Sequence, residues 1–237
     1  MARKHQLRKQ RAGTIINATS KNQESEVIRA LHKVEAHLRE RFGASISLAH
    51  TSQWYLKDLV AELKHCFPEV DFHHHFDTSS IKPDGGILFL EGTKEDKITY
   101  PILIAEVKNQ GTNDLRLAEG KSKQAKGNAI ERLGKNVIGL RTALMRESIF
   151  PFICFGYGCD FEDSSSILDR VTTIAMFGRL NKTYLFNEDG ERFNRGSFYF
   201  REKKWSVGEM YAVMSDIAER SVQYYFSKYR EEHFRKR

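Results

Sequence analysis

The stretch KPDGGILFLEGTKEDKITYPILIAEVKNQG, residues 82–111, decides the fold. It holds two apolar runs of strand length, 87–90 and 100–107, joined by the polar segment 91–97. That pattern predicts a β-hairpin. Residues two apart in a strand share a face, so Glu106 and Lys108 present a carboxylate and an ammonium side by side. Val107, between them, points into the core. A turn centred near Glu95 sets Asp84 opposite Glu106, because the two are equally far from it. Two carboxylates then converge beside one lysine.

Close carboxylates repel unless a cation lies between them, and hard oxygen donors select Mg²⁺, with Mn²⁺ able to substitute. Magnesium keeps several waters, so Asp84, Glu106 and one backbone carbonyl, assigned to Val107, suffice as protein ligands. A metal held there polarises a phosphoryl oxygen and lowers the pKa of a bound water, while Lys108 orients or helps deprotonate the attacking water. A Pro-Asp followed by Glu-x-Lys also fits a surface ion pair on an exposed edge strand, worth about 0–1 kcal/mol. The apolar run PILIAEV (101–107) argues otherwise. Charges at the end of a buried strand carry a burial cost that a functional site explains better than packing does.

Outside the hairpin, Val27, Leu31, Val34 and Leu38 recur at helical spacing from Glu24 to Phe42, and Gly43 follows as a C-terminal cap. A second helix is expected from Trp54 to about Cys66, ahead of Pro68. Ile130, Leu133, Val137, Leu140 and Leu144 step by three and four, which predicts a long helix over about 118–147. Residues 150–155 read as a buried strand, and Ser206 with Glu209 makes a capping box opening a helix through about Lys228. Helices thus flank a central sheet, an α/β or α+β arrangement.

The net charge of +7, from 38 Lys+Arg against 31 Asp+Glu, suits a polyanionic partner. Arg3, Lys4, Arg8, Lys9 and Arg11 form a basic arm over residues 1–20, with 21–237 read as one domain because four prolines and no repeats mark no linker. The arm fits either phosphate contact or a solvated tail. Cys66, Cys154 and Cys159 lack CxxC spacing, which argues against a disulfide framework or zinc module and for the reducing cytoplasm. No run approaches the ~20 apolar residues of a membrane span, and no apolar segment follows the basic start as in a signal peptide. His73, His74 and His75 lack further ligand spacing for zinc. Tyr224, Tyr225, Phe226 and Tyr229 read as core or dimer packing, and Cys154 as a small buried hydrophobe.

Four segments carry a resemblance. SSIKPDGGI (79–87), AEVKNQG (105–111), GNAIER (127–132) and ESIFPFICF (147–155) resemble, in order and spacing, motifs of the EcoRI-type restriction endonucleases of the PD-(D/E)xK superfamily. The resemblance implies an α/β endonuclease fold with a mixed five-stranded sheet, and Asp84, Glu106 and Lys108 as metal-binding and catalytic residues. It also implies a homodimeric type II enzyme that cuts double-stranded DNA at a short palindrome, leaving 5′-phosphate ends, with a cognate methyltransferase in the host. A structure-specific nuclease, such as a resolvase or repair nickase, and a DNA-binding protein that never cuts are the alternatives.

At about 100° per residue, Asn128, Glu131, Arg132 and Lys135 cluster on one side of the long helix, opposite its apolar stripe. Asn can bond adenine bidentately, Arg can donate to base acceptors, and Gly127 permits close backbone approach. By itself this fits an ordinary solvated face with a Glu131–Arg132 pair better than a base-reading surface. The resemblance assigns Gly127, Asn128, Ala129 and Arg132 to reading an AATT core. For the outer base pair, Ala125 and Arg170 (in ILDRVTT, 167–173) point to GAATTC, whereas Lys126 points to CAATTG. The wider segments tip the balance to GAATTC.

Overall fold

The computed structural model describes residues 15–93, 99–109, 111–123, 127–162, 165, 168–169, 171, 180–187 and 194–236; at 15–20, 99, 109, 111–112, 115 and 127–129 it describes the backbone alone. Its first element, α1 (Ile15–Phe42), begins nine residues before the apolar periodicity, inside the stretch read as arm. The reason lies in what is missing: no Gly or Pro occurs between Gly13 and Gly43, so the packed part of the helix extends backward through polar residues at little cost. Gly43, at φ 84°, ends the helix with its N–H on the Arg39 carbonyl. Residues 1–14 of the arm lie outside the described residues.

The sheet follows from the hairpin. Strands β4 (Gly86–Glu91) and β5 (Thr99–Asn109) pair antiparallel, and β1 (Ser47–Thr51) adds antiparallel to β4. Beyond β5, β6 (Phe152–Tyr157) and β7 (Ser197–Arg201) add in parallel, giving a mixed five-stranded sheet in the order β1-β4-β5-β6-β7. The class is α/β. A short pair, β2 (Trp54–Tyr55) with β3 (Ser80–Ile81), stands apart, and α2 (Leu56–Cys66) starts two residues later than the expected Trp54 because Trp54 and Tyr55 are taken up in β2.

Strand β5 is the central strand, buried throughout 101–107, and its alternation feeds two cores. Leu103, Ala105 and Val107 pack with α1 and with α5 (Val207–Tyr229), among Val27, Leu31, Met214 and Tyr225. Ile104 faces the other way with Ile87, Phe152 and Cys154, against α4 (Gly127–Ala143) through Ile130, Leu133, Val137 and Leu140. A β-bulge lies within the hairpin: Leu88 pairs with Leu103 but Phe89 with Pro101, leaving Ile102 extra. Pro101 is tolerated in a central strand because it sits at this bulge and because pairing with β6 starts only at Ile104.

Two sequence expectations are corrected. The segment 118–147 is not one helix: α3 (Gly111–Ala118) stops at Gly120, whose φ is 69°, and α4 starts at Gly127 and ends at Ala143, leaving Leu144 in the turn beyond. The second correction concerns register. The bulge shifts the hairpin by one, so Gly86 lies opposite Ala105 and Asp84 stands before the strand rather than opposite Glu106 within it.

The capping box at Ser206 forms as read, with Glu209 answering the Ser206 N–H. After α5 the chain turns at Arg230 (φ 71°) into a short 3₁₀ helix, Glu231–His233, and buries Phe234 against Tyr100 and Phe226 at centroid distances of 5.0 and 5.6 Å. The His233 carbonyl accepts from the Thr93 N–H at 2.8 Å, tying the terminus to the hairpin's turn end. Phe234→Ala is therefore expected to cost about 3–5 kcal/mol in urea unfolding, although only three residues follow it in the sequence.

Candidate active site

The site forms where β4 begins and β5 outruns it. The ladder stops at Gly86 opposite Ala105, and β5 continues through 106–109 with that edge uncovered by β4. Glu106 and Lys108 project there from the face opposite Val107, which is buried in the α1–α5 core as expected. Asp84, carried on the turn Pro83–Gly86, meets both. Its N–H donates to Glu106 Oε2 at 2.9 Å, and Lys108 Nζ donates to Asp84 Oδ2 at 2.9 Å. Lys108 Nζ also pairs with Glu106 Oε1. The turn is held by the Gly85 N–H on the Ala105 carbonyl (2.9 Å), the Gly86 N–H on the Pro83 carbonyl (3.0 Å), and His50 Nε2 on the Gly85 carbonyl (3.0 Å).

The electrostatics follow from burial. Glu106 is 1% exposed, and burial raises its pKa, with Asp84 adding to the rise and Lys108 opposing it. For Lys108, burial disfavours the ammonium, but Glu106 and Asp84 outweigh it and the pKa goes up. The lysine is thus held as an ammonium by the two carboxylates. Glu24, on α1, has its carboxyl raised first by partial burial and then by Asp84, with Lys108 pulling it down, so it belongs to the same electrostatic neighbourhood.

These residues fit a hard divalent cation. Two carboxylates supply oxygen donors, and Glu106 Oε1 is buried with no hydrogen-bond partner among the described residues beyond its ion pair with Lys108. Lys108 thus answers that oxygen from one side only, which leaves it lone-pair capacity for a cation. Asp84 and Glu106 would hold the ion, with the Val107 carbonyl on the uncovered stretch of β5 as the backbone candidate.

A model of the restriction endonuclease EcoRI family matches residues 9–167 and 163–232 of the chain. The chain belongs to the EcoRI restriction endonuclease family. It is 30% identical over 182 residues to the type II restriction enzyme RsrI of Cereibacter sphaeroides, covering 62% of this chain and 65% of RsrI. To the type II restriction enzyme EcoRI of Escherichia coli it is 28% identical over 198 residues, covering 68% of this chain and 70% of that enzyme. The match thus spans slightly under two thirds of RsrI.

Within this family frame, α4 carries the other residues of interest. Ile130, Leu133, Val137 and Leu140 are buried, while Glu131, Arg132 and Lys135 are exposed on the opposite side. Gly127, Asn128 and Ala129 form its first turn. Ala125, Lys126 and Arg170 lie outside the described residues. Ile138 was not anticipated on the open side, yet it is 60% exposed. Arg141 is buried, its guanidinium donating to the Leu144 carbonyl and to Asn187 Oδ1.

The remaining candidates resolve into packing. Tyr225 is fully buried and donates to the Pro101 carbonyl, while Tyr224 and Tyr229 donate to Glu147. Cys154 is buried beside Glu106 in the ladder. His74 pairs with Asp77, and no group of three or more His, Cys, Asp or Glu among the described residues is placed to hold a metal. Sequence reading missed Glu24 and His50. Both come from elements remote in sequence, and neither stands in a motif with a characteristic spacing.

Lys108→Met leaves Glu106 and Asp84 without their cation. Its removal raises the folded-state pKa of Glu106 further above the unfolded value, so the variant keeps its stability below the ordinary carboxylate range and loses it as pH rises through the raised pKa. Urea unfolding in EDTA should show a destabilisation larger at pH 8 than at pH 5. A deficit equal at both would refute the buried-carboxylate account.

Proposed function

We propose that the chain is a type II restriction endonuclease that hydrolyses double-stranded DNA in a Mg²⁺-dependent reaction, Mn²⁺ substituting. The observation that supports this most is the convergence of Asp84, Glu106 and Lys108 at the uncovered end of a buried strand. When bound, Mg²⁺ supplies Lewis-acid polarisation of the scissile phosphate and a water of lowered pKa. Asp84 and Glu106 bind that ion and orient it. Lys108, held as an ammonium, donates to the attacking water and offsets charge developing on the phosphoryl oxygens. The water oxygen bonds to phosphorus as the bond to the 3′ oxygen breaks, the water's proton passing to solvent and the 3′ oxygen taking one up, so that a 5′ phosphate and a 3′ hydroxyl remain.

The reading extends to the target. A palindrome with an AATT core, GAATTC ahead of CAATTG, is read by Gly127, Asn128, Ala129 and Arg132 from α4, with Ala125, Lys126 and Arg170 at the outer pair. Two-fold symmetry in such a site asks for a homodimer. We place residues 21–237 in a single domain, behind a basic arm that contacts phosphates. The enzyme works in the cytoplasm, where a cognate methyltransferase shields host sites.

Supercoiled plasmid incubated with and without Mg²⁺ tests the reaction: discrete bands are expected with Mg²⁺ alone, whereas nonspecific nicking or no cleavage overturns it. Asp84→Ala and Lys108→Ala should each lower the cleavage rate by about 10²–10³-fold or more while DNA affinity in Ca²⁺ survives. Sequencing the fragment ends tests the helix assignment, since sites lacking AATT would remove it. Asn128→Ala should lose about 1–3 kcal/mol of discrimination at an inner A·T pair. Deleting residues 1–12 should flatten the salt dependence of binding more than it lowers specificity, because phosphate contacts release counterions without reading bases.

A further inference from the structure

The geometry points to His50 as a positioning residue for the metal-binding turn: its Nε2–H holds the Gly85 carbonyl and so fixes where the neighbouring Asp84 presents its carboxylate. This rests on the cation site proposed above. The turn Pro83–Gly86 carries Asp84 but contains two adjacent glycines, the residues that restrain a backbone least. Its order must therefore come from its hydrogen bonds and from the elements packed around it.

One of those bonds cannot be relied on when the site is loaded. The Asp84 N–H donates to Glu106 Oε2, an oxygen that is also a candidate metal donor. Two anchors independent of the carboxylates tie the turn to the sheet: the Gly85 N–H on the Ala105 carbonyl of β5, and His50, which holds the opposite side of the same peptide from a separate strand. It lies on β1, paired across the ladder with Leu88, and its Nε2 is 3.0 Å from the Gly85 carbonyl. A carbonyl oxygen only accepts, so Nε2 must carry the hydrogen and the tautomer is fixed.

Packing supports the same role. A Cβ on Gly86, which has φ 79°, would lie 2.5 Å from His50 Nε2 and 2.5 Å from the Thr51 carbonyl. One on Gly85 would lie 2.9 Å from Ala105 Cβ and 3.1 Å from Val27 Cγ2. The turn is thus pressed between β1, β5 and α1, with His50 against its outer side. The His50 ring is itself set edge-on to His32 of α1, centroids 5.9 Å apart. The expected behaviour is that of residues that orient a ligand without touching the metal, whose loss weakens metal affinity by about 10–100-fold.

The test uses the full chain, wild type and two variants. His50→Leu removes the donor but keeps bulk; His50→Gln restores an N–H at similar reach. Mn²⁺ binding is followed by electron paramagnetic resonance of the free ion, with and without a duplex from the mapped cleavage site, and the Mg²⁺ needed for half-maximal plasmid cleavage is measured in parallel. His50→Leu should weaken Mn²⁺ binding and raise the Mg²⁺ requirement by about 10–100-fold, with the rate largely recovered at saturating Mg²⁺ and Tm unchanged. His50→Gln should recover most of the affinity. Unchanged Mn²⁺ affinity in His50→Leu, or a loss that follows Tm and is not rescued by Gln, overturns the positioning role while a cleaving wild type leaves the nuclease reading standing. A wild type that neither binds Mn²⁺ nor cleaves overturns both.

Discussion

A strand covered on both faces has to end in two charges, and much of the molecule is arranged around that demand. Glu106 sits at 1% exposure on β5, where an isolated carboxylate would be untenable. Lys108 shares its face two residues on, and Asp84 is brought alongside by the turn into β4. The bulge at Ile102 belongs to this arrangement. It resets the pleat so that Ile102 and Leu103 both enter the α1–α5 core, which leaves Ile104, Glu106 and Lys108 on the other face and Val107 as the apolar counterweight. Without it the alternation set by Tyr100 would carry the two charges into the α1–α5 core.

Mixed strand direction then decides what surrounds the site. Because β5 and β6 are parallel, the chain leaves both at the same edge of the sheet. The two exits are laced together: Asn113 donates to Asp160 at 2.7 Å, the Cys159 N–H donates to Asp114 at 2.8 Å, and Lys123 binds Glu162 at 2.9 Å. Gly158, at φ 115°, gives Asp114 the room it needs, since a Cβ there would lie 2.7 Å from its carboxylate. The segments assigned to DNA reading, 125–132 and 170, follow directly on these exits. On the proposed function, a seam that ties these two exits together would help base contacts and chemistry share one register.

How much of this could be read from sequence depended on whether the signal was local. Glu106, Val107 and Lys108 were legible because strand alternation is a local rule, and the apolar stripe of α4 because helical periodicity is. Asp84 was found by symmetry about Glu95, and the structure does bring it to Glu106, but through its backbone N–H rather than by cross-strand pairing. A one-residue bulge between two apolar positions leaves no mark in composition. The split between α3 and α4 was missed because the stripe was extended backward past Gly120, and the early start of α1 because polar residues show no periodicity. His50 and Glu24 were beyond reach, since each joins the site through tertiary packing of an element far from the motif.

The charges at the site bear on how metal and DNA would bind together. Asp84 and Glu106 against Lys108 leave one net negative charge, with Glu24 adding a further negative field nearby. Since the Lys108 ammonium is strengthened rather than displaced by its surroundings, a dication entering beside it would bring Asp84, Glu106 and Lys108 together to one net positive charge, offset in part by Glu24. The scissile phosphate carries the single negative charge that cancels it. Each ligand would then supply what the other lacks, and by linkage the gain in DNA affinity from the ion equals the gain in ion affinity from DNA. A lysine inside the carboxylate pair thus does more than complete a motif. On the proposed function it would also weaken cation binding to the carboxylates alone and favour binding together with a phosphodiester.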